Sequence, residues 1–291
     1  MKAVVHHRFG GPEVLELVDL PDPKAHLDSV LVRVKAAAVN PADIGMRAGV
    51  LADIVDTYFP AVPGWDVAGI VERPGLGTPE FAVGDEVIGY VRSEVQHRHG
   101  AYAEKVAADV RTLARKPSTM SWAEAAALPL AGLTAYQAIQ ALRITRDETL
   151  LVHGAAGAVG SLAAQIARSR GARVLGTANP ADHDYLRSLG VDPVTGPVPV
   201  TDAVLDTAGR GALTGTPPGP RVASVAEFTL PGVTPVFVRM NRDDLRALVD
   251  LAEEGRLTVR VARTFPLAEA AQAQQAVADG HTGGKIVLEV S

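Results

Sequence analysis

Hydrophobic and polar positions change their spacing partway along the chain. Val30, Val32 and Val34 alternate with Leu31, Arg33 and Lys35, the two-residue period of a strand with one buried face. Short runs at 67–71, 86–90 and 102–106 repeat that texture, and Pro21-Asp22-Pro23, Pro74-Gly75 and Gly84-Asp85 punctuate them as turns. Many short strands between Gly and Pro turns predict a barrel or sandwich for roughly the first 110 residues.

Beyond Ser118 the period lengthens. Ser121 followed by Glu124 reads as a capping box opening a long Ala-rich helical stretch. From 149 onward strands and helices alternate. Apolar runs at 149–153, 173–177, 203–206 and 221–225 predict strands, and Val159, Leu162, Ala163 and Ile166 share a helical face that Gly171 ends. Such alternation predicts a doubly wound parallel sheet. An amphipathic helix over 243–254 stops at Gly255, and a helix from Leu267 with a strand over 285–290 follows. Residues 207–220 are too rich in Gly and Pro for a crossover helix, and 191–200 form a short, Pro-broken connection.

At 291 residues the chain has room for about two domains. Its 47% apolar and 21% charged residues exclude a wholly disordered chain. The net charge of −5, with no basic block, gives no reason to expect a nucleic-acid or anionic-membrane partner. No cysteine is present, so disulfides, thiolate zinc ligands and a thiol nucleophile are excluded. The opening residues lack the apolar core of a secretion signal, and 123–142 carries Glu124, Pro129, Gln137 and Gln140, too polar for a membrane span. A cytoplasmic protein is expected.

Between the strand at 149–153 and its helix lies Gly154-Ala155-Ala156-Gly157-Ala158-Val159-Gly160. Glycines at such a junction permit a tight turn and let backbone N–H groups approach a pyrophosphate at the helix N-terminus. Strand, loop, helix and strand within about thirty residues is the context a dinucleotide site needs. An NAD-binding site usually places a carboxylate about 20 residues past the loop, to hold the ribose 2′-hydroxyl. That count lands on Thr177, followed by Ala178 and Asn179. Thr177 and Asn179, with His183 or Arg187 for charge, fit the 2′-phosphate of NADP; the opposing reading takes Asp182 or Asp184 as ribose acceptor.

Several stretches together resemble the zinc-free quinone oxidoreductase (zeta-crystallin-like) branch of the medium-chain dehydrogenase/reductase superfamily. They are Ala37-Ala38-Val39-Asn40-Pro41-Ala42-Asp43, Pro63-Gly64-Trp65-Asp66-Val67-Ala68-Gly69, Gly132-Leu133-Thr134-Ala135-Tyr136, the glycine loop through Gln165, Val204-Leu205-Asp206-Thr207 and Gly284-Lys285-Ile286-Val287-Leu288. The resemblance implies a GroES-like β-barrel from 1–120 and 258–291, with a Rossmann cofactor domain, 121–257, inserted between. Zinc-dependent relatives carry a metal-binding Cys and a Gly-His-Glu segment where this chain has Asn40 and Gly64-Trp65-Asp66. His97 and His99 read as a solvated loop pair without a third ligand.

The resemblance places Asn40 at the nicotinamide face, to polarise a substrate oxygen or position the ring, with an Asn-Pro turn as the plain alternative. Thr134 resembles the threonine lying against the nicotinamide or its ribose. Phe237 and Val238 resemble the segment closing over the nicotinamide, while Val225 and Ala226 are expected to line the crevice at the strand ends. Asp43 is expected to hold its loop together. Tyr58, beside Phe59-Pro60, either walls the substrate cleft and offers a phenol proton or simply packs.

Hydride transfer to an unactivated carbonyl needs a Lewis acid or a placed general acid. Neither a metal set nor a Tyr-x-x-x-Lys pair is evident in the sequence, so the expected acceptor is already electrophilic: a quinone or an α,β-unsaturated carbonyl. The alternatives are an enone or enoyl-thioester reductase on the same scaffold, a polyketide-type reductase domain, and a non-catalytic NADPH-binding redox sensor. The resemblance also suggests a homodimer through sheet edges of the cofactor domain.

Overall fold

The computed structural model describes residues 1–92, 100–209, 211–214, 216, 219–280 and 282–291. The strands are β1 (Lys2–Val5), β2 (Glu16–Asp19), β3 (Ser29–Val39), β4 (Asp66–Arg73), β5 (Glu86–Tyr90), β6 (Lys105–Asp109), β7 (Leu113–Arg115), β8 (Thr149–His153), β9 (Arg173–Thr177), β10 (Asp192–Pro193), β11 (Ala203–Asp206), β12 (Arg221–Ser224), β13 (Val233–Pro235), β14 (Val261–Pro266) and β15 (Lys285–Glu289). The α-helices are α1 (Pro41–Ala48), α2 (Trp122–Ala127), α3 (Pro129–Ala141), α4 (Ala158–Ser169), α5 (His183–Ser188), α6 (Arg242–Glu253) and α7 (Ala270–Asp279). Two compact units result: Met1–Leu130, Met240–Val249 and Val259–Ser291 form one, Ala131–Arg239 and Asp250–Thr258 the other.

In the first unit the described strands order as β14-β15-β3-β4-β5-β7, with β6 also paired to β3. Every pairing is antiparallel except β14 with β15. Val30, Val32, Val34, Val67, Val71, Tyr102, Ile286 and Leu288 fill the interior. The alternation in β3 predicts one wet face, but Leu31 is buried as well. Helix α2 packs on β3, β4 and β15, and the small Ala36, Ala37 and Ala38 fill out the buried C-terminal half of β3. The strand expected at 102–106 starts later, at Lys105, because Ala103 instead forms a bridge with Ala3. Asn40-Pro41 opens a helix, α1, where a simple turn was the alternative: proline suits a first helical position, and Gly49 ends the helix at φ +80°.

The second unit is a parallel sheet ordered β10-β9-β8-β11-β12-β13. Chain order runs outward from β8 to β10, then returns to β11 on the other flank, so the direction reverses between β8 and β11. Ligands of open parallel sheets bind at the strand C-termini beside such a reversal. Here those ends are His153 and Asp206, which stand opposite each other in register. No helix lies between β11 and β12 among the described residues, as the Gly and Pro content of 207–220 requires. The long helical stretch expected after Ser121 is two helices, because Pro129 cannot continue α2 and instead starts α3. Strand β13 gives no sequence signal: three residues, one of them proline, carry no period.

Candidate functional site

In the second unit the loop from Gly154 to Gly160 leaves β8 and enters α4. Gly154 adopts φ +72°, and a Cβ on Gly160 would stand 2.3 Å from Gly154 O, so neither position admits a side chain without displacing the turn. Gly157 is the N-cap of α4 and supplies no capping side chain, which leaves the N–H groups of the first turn, Ala158, Val159 and Gly160, to an outside acceptor. The loop is pinned from below. Ala155 N–H donates to Thr177 O at 2.9 Å, Gly154 N–H to Thr177 Oγ1 at 3.3 Å, and Thr207 Oγ1 to His153 O at 2.7 Å. This open turn fits a dinucleotide pyrophosphate, and Ala156 is buried within the loop.

Thr177 therefore serves as loop support, its hydroxyl also 3.2 Å from His153 Nδ1. Burial pulls the His153 imidazole below its ordinary range, against the pull of Asp206, so the ring at the end of β8 is neutral at pH 7. Asn179 is exposed just past β9, His183 is half-buried at the start of α5, and Arg187 is exposed with its guanidinium 2.6 Å from Asp184.

Three residues to which the sequence assigned no role order the rest of this rim. Asp206 Oδ1 accepts the N–H groups of Ala208 and Gly209 at 2.9 Å, and its Oδ2 accepts Ser224 Oγ–H at 2.8 Å. Ser224 Oγ in turn accepts the N–H groups of Ala226 and Glu227, which fixes Val225 and Ala226 at the end of β12. An acid ending an otherwise apolar strand was the available signal. Gln137, one turn beyond the buried Thr134 on α3, exchanges two hydrogen bonds of 2.9 Å with the Arg239 backbone and so anchors the segment carrying Phe237 and Val238. Phe237 is exposed and stacks on Phe228, ring centroids 4.1 Å apart.

In the first unit Asn40 sits in a buried polar cluster. Its Nδ2 donates to Asp66 Oδ2 at 2.9 Å, its Oδ1 accepts from Lys285 Nζ, and its N–H donates to Asp43 Oδ2 at 2.8 Å. Asp66 Oδ1 accepts the Leu130 N–H at 2.7 Å, and Tyr102 Oη donates to Asp43 Oδ2 at 3.3 Å. None of Asn40, Asp43, Asp66 or Lys285 is more than 5% exposed. Burial pushes the Asp43 carboxyl up to about 7, opposed by the Asn40 N–H and reinforced by the charge of Asp66. Burial also raises Asp66 and lowers Lys285, each opposed by the other's charge. Asp43 thus holds its loop together, and Asp66 and Lys285 are further members that only the long-range fold reveals. Tyr58 is exposed on the loop that follows α1.

An antiparallel β unit joined to a parallel sheet with a dinucleotide loop at its reversal point is the arrangement of a nicotinamide-dependent oxidoreductase. The comparisons agree. Residues 26–118 match the alcohol dehydrogenase GroES-like domain, and 184–288 match a family described as zinc-binding dehydrogenase. The NADPH-dependent alkenal/one oxidoreductase of Arabidopsis thaliana is 33% identical over 99% of this chain and 79% of its own length. The chloroplast envelope quinone oxidoreductase homolog of the same plant is 29% identical over 99% and 98%. Among solved structures, the quinone oxidoreductase from Coxiella burnetii matches with a TM-score of 0.88 at 30% identity, over 100% of this chain and 99% of that one. An alcohol dehydrogenase superfamily protein from Novosphingobium aromaticivorans matches with a TM-score of 0.90 at 30% identity over the full length of both. The chain belongs to the zinc-free quinone oxidoreductase branch of the medium-chain dehydrogenase/reductase superfamily.

The zinc in that family description does not suit these residues. The oxygens of Asn40 and Asp66 are already taken up by Lys285 Nζ, which stands where a metal ion would have to sit. Among the described residues no three His, Cys, Asp or Glu side chains are grouped to hold a metal ion. His97 and His99 lie outside the described residues. No helix among the described residues is long and apolar enough to cross a membrane.

Proposed function

We propose that this chain reduces quinones and α,β-unsaturated carbonyls with NADPH. The observation that carries this reading is the Gly154–Gly160 cradle at the sheet reversal, with an N-cap, Gly157, that leaves the first turn of α4 open to an anion. Bound there, a reduced nicotinamide supplies a hydride. Quinones and conjugated carbonyls take up hydride with the charge spread over a ring or enolate, so modest hydrogen bonding and good placement suffice. The names of two relatives, a quinone oxidoreductase homolog and an NADPH-dependent alkenal/one oxidoreductase, support both acceptor classes.

Asn40 fits the modest donor this chemistry needs. Asn40 Nδ2 donates to Asp66 Oδ2 at 2.9 Å, and its second contact, to Ala38 O, is a weak one at 3.5 Å. We assign the hydrogen of that second contact to the acceptor's oxygen. NADPH is favoured over NADH because no carboxylate stands at the tip of β9, while Asn179, His183 and Arg187 follow it. The exposed Arg187–Asp184 pair is weak enough to exchange for a phosphate. A homodimer would use the β13 edge of the sheet, beside exposed Phe228 and Leu230.

The test is steady-state oxidation of NADPH and NADH with a benzoquinone and a 2-alkenal as acceptors. Turnover of either acceptor with a clear preference for NADPH is expected. A preference for NADH would remove the nucleotide assignment, and NADPH binding without turnover of any acceptor would favour the sensor reading.

A further inference from the structure

Asn40 is held from two sides by groups of opposite sign. Lys285 Nζ, arriving on β15, donates to Asn40 Oδ1, and Asp66, on β4, accepts from Asn40 Nδ2. Lys285 Nζ also lies 3.4 Å from Val39 O and 3.6 Å from Asp66 Oδ2. Three oxygens around one nitrogen suit an ammonium, which has three donors and no acceptor. An asparagine amide can exchange its oxygen and nitrogen by a half-turn about its last bond. Here that flip would set Nδ2 against an ammonium and Oδ1 against a carboxylate, in an interior where charge is poorly screened. Both contacts would become repulsive, so the amide has one orientation.

We propose that Lys285 is a positioning residue for the reduction, selecting with Asp66 the single Asn40 orientation in which an Nδ2 hydrogen, held only weakly by Ala38 O at 3.5 Å, is available to the acceptor's oxygen. This rests on the role assigned to Asn40 above. The Lys285 ammonium is taken up by Asn40 Oδ1, Val39 O and Asp66 Oδ2, so its role runs through the amide. Asp66 is itself anchored, because its other oxygen accepts the Leu130 N–H in the first turn of α3, where a negative charge is favoured. The amide is therefore braced by two elements, β4 and β15, that are distant in sequence.

A double-mutant cycle tests the proposal. Wild type, Asn40→Ala, Lys285→Met and the double variant are compared for kcat, for NADPH affinity by fluorescence titration, and for cooperative melting. Lys285→Met should lower kcat roughly ten- to hundredfold, the scale of a misplaced reacting group. It should leave the NADPH Kd within about twofold and add nothing in the Asn40→Ala background. Lys285→Arg, which restores the charge, should recover part of kcat. Multiplicative losses in the double variant overturn the proposal, since Lys285 would then act without Asn40. An Asn40→Ala kcat equal to wild type overturns the reading of Asn40 instead. Should Lys285→Met lack a cooperative melt, Lys285→Gln goes through the same cycle with the same two outcomes.

Discussion

The nucleotide loop and the Asn40 cluster solve opposite problems. The loop is seven consecutive residues whose working groups are backbone N–H donors, and it depends on Gly154 and Gly160 lacking side chains. The cluster is made of side chains, joined across 26 residues between Asn40 and Asp66 and 245 between Asn40 and Lys285. Each charge in it is buried and needs its partner: removing one member of a buried pair costs about 3–5 kcal/mol, because the other is left uncompensated. A site made of backbone fails when something is added. A site made of buried charge fails when something is taken away.

The sharpest way to separate the two is to add a group to the loop where the fold permits it. Gly157 has φ −73°, ordinary for any residue, and a Cβ there would meet only Gly154 O, at 3.2 Å. Gly157→Asp should therefore fold, with Tm within a few degrees of wild type. Its carboxylate would stand where the pyrophosphate must lie, and the NADPH Kd should rise more than roughly a hundredfold. Calorimetry and circular dichroism on the same sample check both halves. Unaltered affinity in a folded variant would break the assignment of the loop.

That contrast also explains what could be read in advance. The loop, β8, α4 and β9 are written in one contiguous stretch, with local apolar spacing and glycines where the turn needs them, so strand, loop and helix were all legible. Asn40 could be named from its motif, but not its partners. Asp66 and Lys285 each lie in a matching stretch of their own, but neither stretch says that the two side chains meet Asn40, and both are buried. Nothing local signals a pairing that exists only once β15 lies antiparallel to β3 and places Ile286 opposite Val39. The same holds for β3, whose two-residue period hides that Leu31 and the strand's C-terminal half are buried while Arg33 stays exposed, and for Thr177, whose hydroxyl turns back to the loop.

A smaller effect is expected where the loop site meets solvent. Arg187 is exposed, and its pair with Asp184 contributes little to stability. Arg187→Ala should leave folding untouched and raise KM for NADPH about five- to tenfold, the loss of one charge-assisted contact to a 2′-phosphate. KM for NADH, which lacks that phosphate, should not move. Equal changes for the two nucleotides would mean that Arg187 acts elsewhere, and the case for NADPH would then rest on Asn179 and His183.

The smallest effect lies in the cluster and is one of pH. The Asp43 carboxyl is raised from 3.8 to about 7, chiefly by burial, and is faced by Asp66 from β4, Lys285 from β15 and Tyr102 from the segment before β6. Tyr90, on β5, feels the same carboxylate. Between pH 4 and 7 the folded protein thus keeps a proton that the unfolded chain has released. Stability from this group falls as pH rises through that window and levels off above 7. His6 and His153 work the other way: burial lowers both, so the unfolded chain binds their protons first, and their contribution grows as pH rises toward 6.5. The wild-type curve alone mixes these slopes. Asparagine at position 43 keeps an oxygen for the Asn40 N–H but cannot titrate, so the difference between wild type and Asp43→Asn isolates the carboxyl. Calorimetric Tm values between pH 5 and 8 should show wild type losing about 2–5 °C relative to the variant as pH increases. Parallel curves would place the proton on another member of the cluster, Asp66 being the next candidate because burial raises it too.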